Sequence, residues 1–137
     1  MRVGVIGSMH HAEKMLWACN ELQKMGHEIA VSNNTKSFLG MTSEERMKHQ
    51  QICQEEKDAI RDFWRKMQST DAVLVMNMEK NGIPGYIGGN TLMEIGFAHV
   101  LNQKIFLFNP IPDIPFYKAE IQAIGPLVLH GDLALIK

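Results

Sequence analysis

The residues best suited to chemistry lie in one glycine-rich segment, 85–94, which reads GYIGGNTLME. Its glycines, among them Gly88 and Gly89, would let the backbone approach a ligand closely, because glycine has no side chain. A helix is predicted to begin at Asn90 or Thr91, and the free N–H groups at a helix start favour an anion such as phosphate. The segment has neither the Gly-Lys-Ser/Thr ending of a P-loop nor the G-x-G-x-x-G pattern of dinucleotide-binding proteins. It therefore predicts a different kind of site for a nucleotide-like ligand.

Glu94 falls in the first turn of that predicted helix, and its spacing allows two interpretations. In the first, Glu94 forms a capping box with Thr91 and has only a structural role. In the second, the helix start keeps the carboxylate ionised at neutral pH. An ionised carboxylate can attack the anomeric carbon of a sugar and form a covalent glycosyl intermediate. Spacing alone leaves both interpretations open.

Short apolar runs alternate with segments of helical periodicity along the whole chain. The strands are predicted at 2–7, 28–32, 72–77, 104–108 and 127–130. The helices are predicted at 11–25, 43–68, 91–102 and 116–124. This alternation predicts a single α/β domain, 1–137, with three layers and a five-stranded parallel sheet of flavodoxin/Rossmann-like order 2-1-3-4-5.

Two further predictions concern the second helix and the segment before it. Residues 33–42 have no clear period and predict a mobile loop. The helix after them is expected to start at Thr42 or Ser43 and to run unbroken to about residue 68. No capping box is expected, because Arg46 rather than an acid stands three residues after Ser43.

Ligands of such sheets bind at the carboxyl ends of the strands, so the residues that follow the strands are candidate contacts. Ser8 and the Met9 amide could form an anion-binding nest. Asn77 and Asn109 could each bind a sugar or base, or could simply form a turn. Tyr86 could cover a base, or could be an ordinary exposed loop residue. The candidates that follow strands are Gly7, Ser8, Met9, Asn77, Asn109 and residues 130–132.

The run GGNTLMEIGFAHVLNQKIFLFNP, preceded by STDAVLVMN, resembles the nucleoside 2-deoxyribosyltransferase superfamily, which includes the deoxynucleoside monophosphate N-glycosidases. The matching motifs cover mainly residues 70–110 and the opening strand with Gly7 and Ser8, and the order of elements fits the whole chain. The resemblance implies that Glu94 is the nucleophile. It also implies that Asp62 is a second carboxylate, which manages protons at the leaving base. The alternative for Asp62 is a solvated helix carboxylate beside neighbouring arginines.

Two positions depart from the pattern of the superfamily. The transferases have an acidic residue six positions before the nucleophile and the monophosphate glycosidases tend to have serine, whereas this chain has Gly88. After the first strand, Met9, His10 and His11 replace the usual tyrosine or basic residues. The sequence therefore leaves the substrate open between a nucleoside and a nucleoside monophosphate.

Composition indicates which partners to expect. The chain has 137 residues, 45% of them apolar, and a net charge of −1, which is ordinary for a soluble domain and does not favour nucleic acid as a partner. No apolar run reaches the ~18 residues that span a bilayer. Two cysteines in helical patterns predict reduced thiols and a cytoplasmic location. We expect no metal or other cofactor, because neither His10 with His11 nor Glu94 with His99 has ligand spacing.

These observations support one leading function and two alternatives. The leading hypothesis is cleavage or transfer at the N-glycosidic bond of a nucleoside or nucleoside monophosphate, with this small molecule as the partner. The first alternative is a non-catalytic nucleotide-binding or sensing module on the same fold. The second, an electron carrier of the flavodoxin type, is weaker because the first loop lacks a Ser/Thr-rich phosphate cradle. The resemblance also implies a homo-oligomer.

Overall fold

Five apolar runs form the five strands of one sheet. A computed structural model describes residues 1–137, except for the side chains of residues 56 and 57. The strands are β1 (Arg2–Ile6), β2 (Glu28–Val31), β3 (Ala72–Val75), β4 (Lys104–Leu107) and β5 (Leu127–Val128). All neighbouring strands are parallel, in the order β2-β1-β3-β4-β5. The predicted fold class and strand order are confirmed.

Helices cover both faces of this sheet, because its strands present apolar side chains in both directions. Val3 and Val5 of β1 pack with the first helix, whereas Val73 and Val75 of β3 pack with the third, fourth and fifth. Among the described residues, no helix combines the length and the apolarity that crossing a bilayer requires. The helices are α1 (Ala12–Lys24), α2 (Ser43–Lys57), α3 (Ala59–Met67), α4 (Gly89–Val100) and α5 (Lys118–Ile124).

The prediction of one unbroken helix over 43–68 is wrong, because two helices, α2 and α3, occupy this segment. Asp58 separates α2 from α3 and adopts the left-handed conformation, with φ of 46°. Its carboxylate accepts a hydrogen bond from the Arg61 amide at 3.3 Å, which caps α3. Asp is one of the few residues with a side chain that tolerate this backbone region.

The prediction that α2 lacks a capping box is also wrong. Thr42 is the N-cap, and its hydroxyl accepts from the Glu45 amide at 3.2 Å. The Glu45 carboxylate accepts from the Thr42 amide at 3.0 Å. A capping box needs an acid three residues after the N-cap, and Glu45 stands three residues after Thr42. The prediction failed because it took Ser43 as the N-cap.

A 3₁₀ helix, Thr35–Phe38, lies within the predicted mobile loop 33–42. Both of its end residues are buried, and Phe38 packs with Ala12 and Cys53 in a small apolar cluster of its own. This cluster fixes α2 over the segments that follow β1 and β2. The carboxyl ends of these two strands are therefore covered by a helix.

Candidate active site

Glu94 lies deeper in α4 than the sequence predicts. The helix begins at Gly89, with Gly88 as an N-cap in extended conformation, so Glu94 is the sixth residue and lies in the second turn. The first turn contains no acid, and no side chain caps the helix. The alternative of a Thr91–Glu94 capping box is therefore wrong, and the Glu94 carboxylate is not bonded to its own backbone.

The Glu94 side chain lines a narrow cleft at the carboxyl ends of β1 and β2. Only 9% of the residue is exposed. The cleft's free volume is about 30 Å³, which is room for about one water molecule. Helix α2 contributes the wall that closes the cleft. The other residues of the cleft come from the loops after β1 and β2 and from the helices α2, α3 and α4: Met9, Ser32, Asn34, Phe38, Gln50, Cys53, Gln54, Ala59, Phe63 and Asn90.

Burial sets the protonation state of Glu94. Loss of solvation raises the pKa of its carboxyl to about 8. No described residue donates a hydrogen bond that would favour the charged form. At neutral pH the carboxyl is therefore mostly protonated, and the expectation of an ionised Glu94 is wrong. The reason is that the carboxyl is buried without a hydrogen-bond donor among the described residues and lies one turn away from the free N–H groups at the helix start.

Asp62 lies in a second hollow that adjoins the Glu94 cleft. This hollow has a volume of about 270 Å³ and shares Ser32, Asn34 and Phe63 with the cleft. The Asp62 carboxylate accepts from Arg65 at 2.9 Å and its side chain is 54% exposed. The structure thus brings the two predicted acids, Glu94 and Asp62, to neighbouring hollows. The ion pair with Arg65 also agrees with the alternative that Asp62 is a solvated helix carboxylate.

Met9 and Asn90 are the two predicted binding residues that reach the cleft. Met9 follows β1 and packs against two apolar clusters. Asn90 precedes Glu94 by one helical turn, so the two side chains lie on one face of α4. The Asn90 Oδ1 atom is buried and has no hydrogen-bond partner among the described residues.

Gly7 and Ser8 have structural roles in the ligand-free chain. A Cβ atom on Gly7 would lie 3.1 Å from the Met76 carbonyl oxygen, so close packing of β1 on β3 accounts for this glycine. The Ser8 hydroxyl accepts from the His10 amide at 3.3 Å and caps a 3₁₀ turn at Met9–His11. Neither residue lines the Glu94 cleft.

Asn77 and Asn109 bond to each other and lie outside the cleft. The side-chain Nδ2 of Asn77 donates to the backbone carbonyls of Asn109 (2.8 Å) and Pro110 (3.2 Å). The Asn77 Oδ1 accepts from the backbone N–H of Asn109 at 2.9 Å. Asn109 in turn donates to the Asn77 carbonyl at 3.0 Å. The pair joins the ends of β3 and β4, so the alternative of a structural turn role is the one that the structure favours.

The remaining loop candidates surround the start of α4 without lining the cleft. Tyr86 is half-buried, and the Lys80 ammonium lies 5.2 Å from its ring centroid. A Cβ atom on Gly88 would meet that ring at an ordinary 3.6 Å, and one on Gly89 would meet open space. Gly89 therefore has no steric reason to be glycine within the chain itself.

Sequence reasoning missed the contribution of β2 and α2. The strand-end rule, applied to the strand at 28–32, would have selected Ser32 and Asn34. Gln50 and Gln54 have no comparable signal, because they reach the cleft only through the packing of α2 on the loops beneath it. Among the described residues, no three His, Cys, Asp or Glu side chains group closely enough to hold a metal ion.

Comparison with known proteins gives a likeness at the level of the fold. No protein-family model matches the chain, and no curated protein matches it. A solved structure of the CMP N-glycosidase BcmB from Clostridium botulinum superposes with a TM-score of 0.51 and 15% identity, over 93% of this chain and 85% of that one. FerB, a flavoenzyme NAD(P)H:(acceptor) oxidoreductase from Paracoccus denitrificans, superposes with a TM-score of 0.49 and 12% identity, over 93% and 74%. The first likeness shows a shared α/β fold.

Proposed function

We propose that this protein cleaves or exchanges the N-glycosidic bond of a nucleoside or nucleoside monophosphate, with Glu94 as the nucleophile. The observation that carries the proposal is the position of Glu94, whose carboxyl lines a cleft at the carboxyl ends of β1 and β2 and is not taken up by a helix cap. The fold shared with a CMP N-glycosidase supports the same reaction class. Ligand sites of open α/β sheets lie at this edge.

The reaction would proceed in two displacements. A Glu94 carboxylate oxygen attacks the anomeric carbon, the carbon–nitrogen bond breaks, and its electron pair leaves with the base, which takes up a proton. Water or a second base then attacks the glycosyl ester and regenerates the carboxylate. Asp62 lies in the adjoining hollow as a carboxylate, from which it would take the proton of Glu94 and pass it to the leaving base in the first step, and would accept a proton from the attacking water or base in the second.

Two features of the structure must change for this chemistry. Only the ionised carboxyl is a nucleophile, and with a pKa of about 8 roughly a tenth of the molecules carry it at pH 7. A nucleoside is also much larger than the free volume beside Glu94. Substrate binding therefore has to widen the cleft, and the α2 residues Gln50, Cys53 and Gln54 form the wall that must move.

The closed cleft and the protonated Glu94 give the alternative function its support. A nucleotide-binding or sensing module needs neither an ionised carboxyl nor a water path to the sugar. Such a module would bind nucleotides and leave them intact. The expected homo-oligomer and the cytoplasmic location stay predictions beside either function.

Base release from a panel of nucleosides and nucleoside monophosphates, followed by chromatography, separates the two functions. The enzyme is supported if wild type releases a base, Glu94→Gln does not, and Glu120→Gln does. Glu120 is a matched control, since it is an exposed glutamate on α5. Asp62→Asn should slow release less than Glu94→Gln. Undiminished release by Glu94→Gln contradicts the proposed nucleophile, and tight binding without release supports the sensing module.

A further inference from the structure

A groove with three cations runs along the edge of the sheet beside β2. It has a volume of about 380 Å³, within the range of small-molecule sites, and is lined by β2, the loop after it and the α3 residue Lys66. Apart from three apolar residues of β2 itself, its lining is polar or cationic. These lining residues are Arg2, Ser32, Asn33, Thr35, Lys36 and Lys66.

The charge of this groove is unusual for the chain. The protein has a net charge of −1, yet the groove's lining contains three cations and no acid. The Arg2 guanidinium pairs with the Glu28 carboxylate at 3.8 Å, and Glu28 is 78% exposed, so this surface pair screens Arg2 weakly. The Asp71 carboxylate accepts from the Arg2 backbone amide at 2.8 Å. Burial, and then the charge of Arg2, lowers the pKa of Lys66, whereas the nearby Asp62 carboxylate acts in the opposite direction with a smaller effect.

Polar groups of the groove have bonding capacity that the described chain leaves unused. Lys66 donates to the Val31 carbonyl at 2.8 Å and to Asn33 at 2.5 Å, which fixes its ammonium at the groove and leaves its third N–H. The buried Arg2 Nε and the Thr35 Oγ1 have no hydrogen-bond partner among the described residues, and Thr35 is fully buried. Groups of this kind are normally satisfied by a ligand or by water.

The groove adjoins the hollow that contains Asp62, which in turn adjoins the Glu94 cleft. It shares Ser32, Asn33 and Lys66 with the Asp62 hollow, which in turn shares Ser32 and Asn34 with the cleft. A molecule whose reacting part lies beside Glu94 could therefore place an anionic part beside Lys66. The three spaces therefore lie side by side around the end of β2.

We propose that this groove is a binding site for a phosphate group, held by Lys66, Arg2 and Lys36. Cations with spare N–H donors are the groups that hold phosphate oxygens in proteins. The site differs from the glycine-rich loop before α4, which the sequence favours for an anion. That the bound phosphate belongs to the substrate of Glu94 rests on the proposed function. That the groove binds phosphate at all does not depend on it.

Calorimetric titration of the whole chain with pyrophosphate at low salt tests the site. We expect saturable binding that weakens about tenfold or more in Lys66→Gln, because a charge-assisted contact is lost. Lys36→Gln is a second variant, and since Lys36 is exposed it should fold normally. Lys24→Gln is the matched control, because Lys24 pairs with Glu21 on α1, on the opposite face of the sheet, and it should bind pyrophosphate like wild type.

The outcomes separate this site from the proposed reaction. Glu94→Gln should bind pyrophosphate as wild type does, whether or not the protein releases a base. Displacement of pyrophosphate by a nucleoside monophosphate, but not by the matching nucleoside, identifies the phosphate as the substrate's own. Simultaneous binding of both identifies an independent phosphate ligand at the same groove. Absence of saturable pyrophosphate binding, or equal loss in Lys24→Gln and Lys66→Gln, overturns the site even if base release persists.

Discussion

Asn90 and Glu94 lie one helical turn apart on α4, and both side chains line the cleft that α2 covers. The Asn90 oxygen is buried without a partner among the described residues, and burial raises the pKa of the Glu94 carboxyl to about 8. This part of α4 therefore buries polar groups beyond what the stability of the helix requires. Polar groups buried in this way are typical of functional sites.

The first prediction concerns the pH dependence of stability. The pKa of Glu94 is higher in the folded chain than its ordinary 4.5, so the folded state is favoured while the carboxyl is protonated and loses stability as pH rises from 4.5 through about 8. Glu94→Gln cannot ionise. Its free energy of unfolding, relative to wild type, should increase by about 3 kcal/mol between pH 4 and pH 7. Urea unfolding at four pH values measures this, and a difference that does not vary with pH would show that Glu94 is solvated.

The second prediction concerns the pH dependence of activity. Since only ionised Glu94 can attack the sugar, kcat/KM for base release should rise with pH and level off above about 8. Glu120→Gln should give the same midpoint. A midpoint near 4.5 would mean that the carboxyl is exposed in the free enzyme, contrary to its position in the cleft.

The third prediction separates two glycines of the same loop. Gly85 has φ of 69°, and a Cβ atom there would lie 2.5 Å from the Pro110 carbonyl oxygen, so Gly85→Ala should lower the free energy of unfolding by about 2–4 kcal/mol. Gly89 is the first residue of α4 and has open space around it. Gly89→Ala should leave stability unchanged or raise it by up to about 1 kcal/mol. Equal effects of the two substitutions in chemical denaturation would contradict this assignment.

The strands of the fold could be predicted from the sequence, whereas the break between α2 and α3 could not. Runs such as AVLV in β3 specify buried strands by composition alone, so the sheet and its order were predictable. The break at Asp58 was not, because the residues on either side of it continue a helical pattern. The helices separate at the left-handed Asp58, and beyond it Phe63 packs into a different apolar cluster from that of Cys53.

The candidate site was predictable to a similar extent. Glu94 could be selected because the topology places the start of α4 at the ligand-binding edge of the sheet. Its protonation could not be predicted, since the burial comes from α2, which is distant in sequence. Asn77 and Asn109 were selected by the same rule, but no sequence pattern separates an asparagine that binds a ligand from one that joins two strand ends.

The fourth prediction concerns Arg46, which fastens α2 over the site. Its buried guanidinium donates to the carbonyls of Met9, His10 and Met41 and pairs with the Glu13 carboxylate at 2.6 Å. Loss of these charge-assisted bonds in Arg46→Gln should lower the free energy of unfolding by about 2–4 kcal/mol.

The control for Arg46 is another arginine that pairs with an acid. Arg61→Gln removes an exposed pair with Asp58 and should change stability by at most about 0.5 kcal/mol. The Arg46 guanidinium also holds the pKa of Glu13 at about 2. The stability that this pair contributes is therefore present above pH 4.5 and is lost as pH falls towards 2. The difference in free energy of unfolding between wild type and Arg46→Gln should become smaller over that range. A difference that grows there would contradict the role given to the pair.

Detection of a glycosyl intermediate on Glu94 would identify this residue as the nucleophile. Wild type is mixed with a substrate from the base-release screen, quenched in acid during turnover, digested and examined by mass spectrometry. We expect the peptide containing Glu94 to gain the mass of the sugar, or of the sugar phosphate, and the corresponding peptide of Glu94→Gln to gain nothing. Base release by wild type without such a gain, together with undiminished release by Glu94→Gln, would contradict this identification.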